Sequence, residues 1–479
     1  MGHINKGILR QLKENDPEFD DLVVCREEEY RGSNEFWAQN AHDLELLGYY
    51  IGKNTNLMEL CLHSEIFHGF YNAIEPFFRG LNRNRSIQKI SFHHMCIMGG
   101  EVFQSMRPFF TDNNNLSGLE VVDCVFAEGC ARCLSSALRI CSKSLKYIKL
   151  SANQMGDERL EDIVEALAVH PHLEEIKLRR MSVGRNECVA LSTLLFSAVT
   201  TLRTLDLRDN IIDDEGVDIL VGVLINSTQL QYLNLSDNDI GDEGVDTLVG
   251  ALTNNRSFQR LNLSSNCITA RGCQSLATLL ENPNSNLEVF QLNGCNVGDE
   301  GARIFASALT TNRKLSTLDV SDNGITAEGY SSFSKVLCYT ASVNRTFLSN
   351  HTLESLCWSR FMTQPANASN IPADVRSLLA LNNISRNNKK KVAIKKILKH
   401  HQHFDMLPFF EWELKVLPIA IKWFERAKSI EDAAYHVVKI NNHKLGTIYQ
   451  FIRAMPEVFE PTPAAGEKRK RSAFDGKIL

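Results

Sequence analysis

The sequence predicts an α/β solenoid, a horseshoe with a parallel concave sheet, an outer layer of helices and a C-terminal helical extension. Three observations carry this. An apolar pattern recurs every 28 to 30 residues. Each copy has a strand-like first half and a helix-like second half. No copy has enough apolar surface to bury its own stripe, so neighbouring copies must stack.

The pattern is L-x-x-L-x-L-x-x-N/C-x-L. It is cleanest at Leu202-Leu205-Leu207-Asn210-Ile212 and Leu230-Leu233-Leu235-Asn238-Ile240. Phe258-Leu261-Leu263-Asn266-Ile268, Leu287-Phe290-Leu292-Cys295-Val297 and Leu315-Leu318-Val320-Asn323-Ile325 continue it. Upstream copies open at Leu57, Ile87, Leu116, Leu145 and Leu173, the last with Met181 at the Asn position. A worn eleventh copy is expected to open at Val343, with Thr346, Leu348, His351 and Leu353. Alternation in L-x-x-L-x-L is that of a short strand. Val217, Leu220, Val221 and Leu224 then fall at i, i+3, i+4 and i+7, one stripe of a helix. A Gly before each such stripe (Gly216, Gly244, Gly272, Gly301, Gly329) is expected to ease the turn from strand to helix.

Period, Asn/Cys position and helical second half together resemble the ribonuclease-inhibitor type of leucine-rich repeat, over about residues 57–370. The resemblance implies a horseshoe that binds proteins. Gly48 to Leu57 and Arg376 to Asn382 look similar to the flanks of leucine-rich-repeat proteins of unicellular algae.

The ends need caps, because a terminal unit would otherwise expose core. Residues 1–56 form the expected N-terminal cap: Phe19-Leu22-Val24 as a strand, then Trp37 to Asn54 as a helix with Leu44, Leu47, Gly48 and Ile51 inward. The repeat domain takes 57–370. Residues 371–460 read as helices at Pro372 to Leu381, Lys389 to His400, Pro408 to Arg426 and His443 to Met455. Residues 461–479 read as a flexible basic tail.

Composition narrows the function. The 479 residues carry 52 Lys+Arg and 57 Asp+Glu, a net charge of −5 that argues against a surface built wholly for nucleic acid. No apolar run is long enough to span a membrane, and the first fifteen residues lack a secretory apolar region. The 13 cysteines show no disulfide framework, which points to reduced thiols and a cytoplasmic, possibly nuclear, protein. Lys468-Arg469-Lys470-Arg471 resembles a short nuclear-localisation signal.

Catalytic signatures do not appear. There is no G-x-x-x-x-G-K-[ST], H-E-x-x-H, G-x-S-x-G or G-x-G-x-x-G. Asp237-x-Asp239-x-Gly241 lacks the ligands of a calcium loop. Cys124, Cys130, Cys133 and Cys141 are better explained as core thiols than as a zinc set. The His400, His401 and His403 group reads as a solvated helix end. No cofactor or metal is therefore expected. Arg386 to Lys399 reads as an amphipathic helix with a solvated face, with an anionic membrane or nucleic acid as the alternative.

The variable positions of the strands are the expected site. If residues 4 and 6 of each unit face the core, residues 3, 5 and 7 face the concavity. They include Lys89 and His93, then Tyr147 and Lys149, then Glu175, Lys177 and Arg179, then Asp206 and Arg208, then Tyr232 and Arg260. Tyr and Arg are frequent interface anchors, and a basic surface steers an acidic partner. The expected function is a non-enzymatic scaffold or adaptor that binds a protein with an acidic surface through Tyr147, Lys149, Lys177, Arg179, Arg208, Tyr232 and Arg260. The alternative is similarity to the Ran-type GTPase-activating proteins, also eleven-unit horseshoes, although their long acidic tail is missing here. A third reading is the sensor part of an innate receptor, without its nucleotide-binding domain.

Overall fold

The computed structural model describes residues 2–26, 34–63, 66–97, 101–126, 129–141, 144–154, 160–198, 201–357, 370–383 and 388–401. The expected helices at 408–426 and 443–455, His403 and the basic tail with Lys468, Arg469, Lys470 and Arg471 lie outside these residues.

The strands are β1 (Asp21–Cys25), β2 (Glu35–Trp37), β3 (Glu59–His63), β4 (Lys89–His93), β5 (Cys96–Ile97), β6 (Gly118–Val122) and β7 (Val125–Phe126). They continue as β8 (Tyr147–Ser151), β9 (Glu175–Arg179), β10 (Thr204–Asp206), β11 (Tyr232–Asn234), β12 (Arg260–Asn262), β13 (Val289–Gln291) and β14 (Thr317–Asp319). Twelve make one sheet, in the order β14-β13-β12-β11-β10-β9-β8-β6-β4-β3-β1-β2. Every pairing is parallel, and those between repeat units join equivalent positions, as in Tyr147↔Glu175 and Leu205↔Leu233. A crossover helix between parallel strands is what this requires, and the helical stripes supply it. Val217, Leu220 and Leu224 of helix Asp214–Leu224 are buried beneath the sheet with Leu205 and Leu207.

Three side-chain ladders hold the units together. The Asn at the repeat's ninth position bonds both its own turn and the preceding unit. Asn238 Nδ2 donates to the Leu207 and Leu235 carbonyls at 3.1 Å, and its Oδ1 accepts from Ile212 N at 3.0 Å. Cys124 and Cys295 fill this slot with weaker thiol bonds to the carbonyls of Phe92 and Leu263. A second Asn stands three residues before the first Leu. Asn84, Asn255, Asn312 and Asn350 each donate across to the previous unit while accepting from amides of their own. An Asp at the start of several helices forms the third. Asp242 Oδ1 accepts from Thr269 N and Gly272 N, and Asp299 Oδ1 accepts from Thr326 N.

That third ladder changes the reading of the glycines. Gly216, Gly244, Gly272, Gly301 and Gly329 lie in the first turns of helices, not in a strained turn. Their need is space. A Cβ on Gly244 would meet Asp214 Oδ1 at 2.5 Å, and one on Gly272 would meet Asp242 Oδ1 at 2.5 Å. The left-handed positions fall instead at the exit of the strands. His94, Asp123, Ala152, Arg180, Asp209, Asp237, Ser265 and Asp322 all have φ between 51° and 60°, and Gly294 takes the equivalent place.

The ends differ from expectation in three respects. A helix at Gly2–Glu14 precedes the first strand. Trp37 closes β2, and the following helix is confined to Ala41–Ile51, with Leu44, Leu47, Gly48 and Ile51 buried as expected. The eleventh unit does not open at Val343. Val343–Phe347 is a short helix, and the chain rejoins the sheet at Leu353, where Thr317 pairs with Ser355. Asn350, three residues before Leu353, is the signal that fixes this start: its Oδ1 accepts from Leu353 N at 2.9 Å.

Two helices follow. Ala373–Asn383 packs on Ala327–Leu337, and Lys389–His400 packs on Val343–Phe347. Val392, Ile394, Ile397 and Leu398 are buried there. The apolar side of this helix is thus occupied by the fold, while Lys389, Lys390, Lys391 and Lys399 remain exposed. Lys396 is buried with them. Among the described residues no helix is long and apolar enough to cross a membrane.

Candidate functional site

Strand alternation places the expected residues on the sheet face turned away from the helices. Ile148, Leu150, Ile176 and Leu178 are buried, while Tyr147, Lys149, Lys177 and Arg179 between them are half-exposed. Tyr232 is half-exposed, and Arg208 and Arg260 are exposed.

The cations are held by carboxylates from neighbouring strands. Glu120, with a side chain only 9% exposed, is the centre. Lys89 Nζ lies 2.9 Å from it, Tyr147 Oη donates to it at 2.9 Å, Lys149 Nζ reaches it at 3.5 Å and His93 Nε2 stands 3.4 Å away. Register explains the gathering: Ser91, Glu120 and Lys149 are direct neighbours across three strands. Burial works to raise the Glu120 pKa. The nearby His93 ring, hydrogen bonding from Lys89 and Tyr147 and the Lys89 charge outweigh it, and the carboxyl sits far below the usual carboxylate range. Burial and the Glu120 charge push the Tyr147 phenol well above its ordinary value. The Tyr147 ring also carries Lys177 Nζ at 5.3 Å and Lys89 Nζ at 5.8 Å from its centroid.

Two of the remaining cations reach a carboxylate of the next unit, and Lys177 pairs within its own strand. Arg179 Nε donates to the fully buried Asp206 at 2.8 Å. Lys177 pairs with Glu175, and Arg208 Nε lies 3.0 Å from Asp237. Among the described residues, no ion pair engages Arg260. The patch is therefore preorganised and largely neutralised from within. Sequence reasoning passed over Glu120. It occupies position 5 of its unit, and writing all position-5 residues in one column would have set it beside Lys149.

Ten residues line a cleft of about 410 Å³ at the head of this face, among them Asp20, Asp21, Met58, Glu59, Gly118 and Tyr147. Gly118 leaves it open, since a Cβ there would press on Lys89 Cγ at 3.3 Å and Tyr147 Cδ1 at 3.4 Å.

Comparison with known proteins agrees with this architecture. Residues 200–220, 226–249, 254–277, 284–306 and 311–334 match the family described as Leucine Rich repeat. These are the units in which the apolar pattern is cleanest. The chain carries leucine-rich repeats in an α/β solenoid fold. It is 30% identical over 124 residues to NACHT, LRR and PYD domains-containing protein 3 of Mus musculus. That match covers 26% of this chain and only 12% of the relative. Among solved structures, an internalin from Listeria monocytogenes is 17% identical, with a TM-score of 0.36, covering 67% of this chain and 89% of that one. A chain of the Rad7 and Elc1 complex in yeast is 16% identical, with a TM-score of 0.36, covering 67% and 83%.

Proposed function

We propose that this protein is a non-enzymatic scaffold or adaptor that docks a partner protein on its concave strand face. The reading rests on one observation: Tyr147, Lys89 and Arg179 are clamped by the buried carboxylates Glu120 and Asp206 before any partner arrives. Side chains already fixed lose less entropy on binding. Tyr147, Lys149, Lys177, Arg179, Arg208, Tyr232 and Arg260 form the contact surface, with Arg208 and Arg260 presenting the most accessible charge. The helical second half of each unit supports the ribonuclease-inhibitor type of repeat, and residues 1–56 and 371–460 act as its caps. The run Lys468 to Arg471 we assign to nuclear import, within a cytoplasmic and nuclear distribution that a reporter fusion measures.

The test is capture of partners by the wild-type protein and by an Arg208→Glu/Arg260→Glu variant of unchanged melting temperature. Arg179 is left intact, because reversing it would strand the buried Asp206 carboxylate. Specific partners that vanish with the variant, and weaken with salt in the wild type, support the reading. Partners retained unchanged by the variant refute it. A small GTPase whose hydrolysis accelerates on binding would favour the GTPase-activating alternative.

A further inference from the structure

The concave face carries two signs of charge, not one. The cleft at its head is lined by Asp20, Asp21, Glu59 and Glu120 against the single cation Lys89. Lys89 is already shared between Glu120 at 2.9 Å and Glu59 at 3.8 Å. Asp20 is exposed and the Glu59 side chain is 59% exposed, so the lip keeps unspent negative charge facing solvent. Further along, the exposed cations are Arg208, which leans on Asp237, and Arg260, which no ion pair engages among the described residues.

We propose that this cleft receives a basic side chain, arginine or lysine, from the same partner segment whose acidic residues lie over Arg208 and Arg260. The geometry suits such a group. Met58 and the Tyr147 ring give apolar surface for its methylene stem. Asp20 and Glu59 stand at the lip for its charged head, and the missing side chain of Gly118 provides the depth. Glu59 and Arg208 are five strand spacings apart across the sheet, about 24 Å at ~4.8 Å per strand, and four residues apart along it, about 13 Å, which makes roughly 27 Å in all. An extended segment crosses that in about eight residues at ~3.3 Å each. Such a partner is read for polarity as well as charge. A uniformly acidic segment would meet repulsion at Asp20 and Glu59. The inference rests on the concave face being the docking surface.

Methylguanidinium tests the cleft without the partner. In the full chain labelled at its methionine methyls, titration into the millimolar range should shift the Met58 signal saturably. The neutral isostere N-methylurea should leave it in place. An Asp20→Asn/Glu59→Gln variant, which removes only exposed charge, should lose at least fivefold in methylguanidinium affinity while melting normally. The Arg208→Glu/Arg260→Glu variant should bind the probe as wild type does. No saturable Met58 shift, or an equal shift with N-methylurea, overturns the proposal. Retained cleft binding together with unchanged partner capture by the arginine variant overturns the docking reading instead.

Discussion

The ammonium group of Lys396 is wholly buried and donates to the Leu337 carbonyl, at 2.6 Å, and to that of Asn350, at 3.2 Å. Leu337 ends the last long helix of the repeats, so the lysine ties the C-terminal helix to the array. Burial lowers its pKa to about 7. A free lysine ionises near ~10.4. Between those values the unfolded chain holds a proton that the folded one has lost, so stability rises with pH across this window. One such proton is worth about 1.4 kcal/mol per pH unit. Urea melts at pH 7.5 and 8.5 should show that gain in the wild type, and Lys396→Met should remove it.

The Asn ladder should respond in a graded way. Asn238→Ala removes donors to two carbonyls and an acceptor for Ile212 N, and is expected to cost about 1–3 kcal/mol. Asn238→Cys should cost less, because the Cys124 and Cys295 thiols bond carbonyls from the same slot. Equal losses in urea melts would show that the thiol bond contributes nothing.

Glycines divide into two kinds. Gly48 and Gly80 sit where two helices touch backbone to backbone, and a Cβ on Gly80 would strike the Gly48 carbonyl. Gly80→Ala should lose about 1–3 kcal/mol. Gly250 has open space around its Cβ position and lies inside helix Asp242–Leu252. Gly250→Ala should gain about 0.4–1 kcal/mol through a less flexible unfolded chain. Thermal melts of the pair measure both signs.

Glu120 is expected to govern the ionisation of Tyr147. Burial raises that phenol first and the Glu120 charge raises it further. Glu120→Gln should move the Tyr147 titration to lower pH without bringing it to the ordinary value. An unchanged ring signal in a pH titration would contradict the hub.

Much of this fold was legible because one constraint repeats. Each unit must bury both a strand and a helix, and the required apolar spacing is written out again every 28 to 30 residues from Leu57 to Leu315. The helix at Lys389–His400 was equally plain from its spacing. What was missed lacks a period. The Gly2–Glu14 helix and the short strand ending at Trp37 each occur once. Assigning the last unit to Val343 followed the expected spacing alone, whereas the Asn350 amide decides the true start. The site was half legible. Which residues face the concavity follows from alternation, but which of them neutralise one another depends on register between strands. Arg179 on Asp206 and Lys149 on Glu120 join residues 27 and 29 apart.

The three ladders also make the array a counting device. The two Asn ladders reach one unit back and the Asp at the helix start reaches one unit forward, so an insertion between units breaks every bond at once unless it supplies a whole unit. The 38 residues from Leu315 to Leu353 depart from this spacing, as do the 38 from Leu22 of the N-terminal cap to Leu60. In the former the surplus is folded out as the Val343–Phe347 helix, leaving Asn350 to restart the bonding. Evolution of such a chain proceeds by duplication or loss of entire units. The span of its concave face is therefore inherited in steps of one strand.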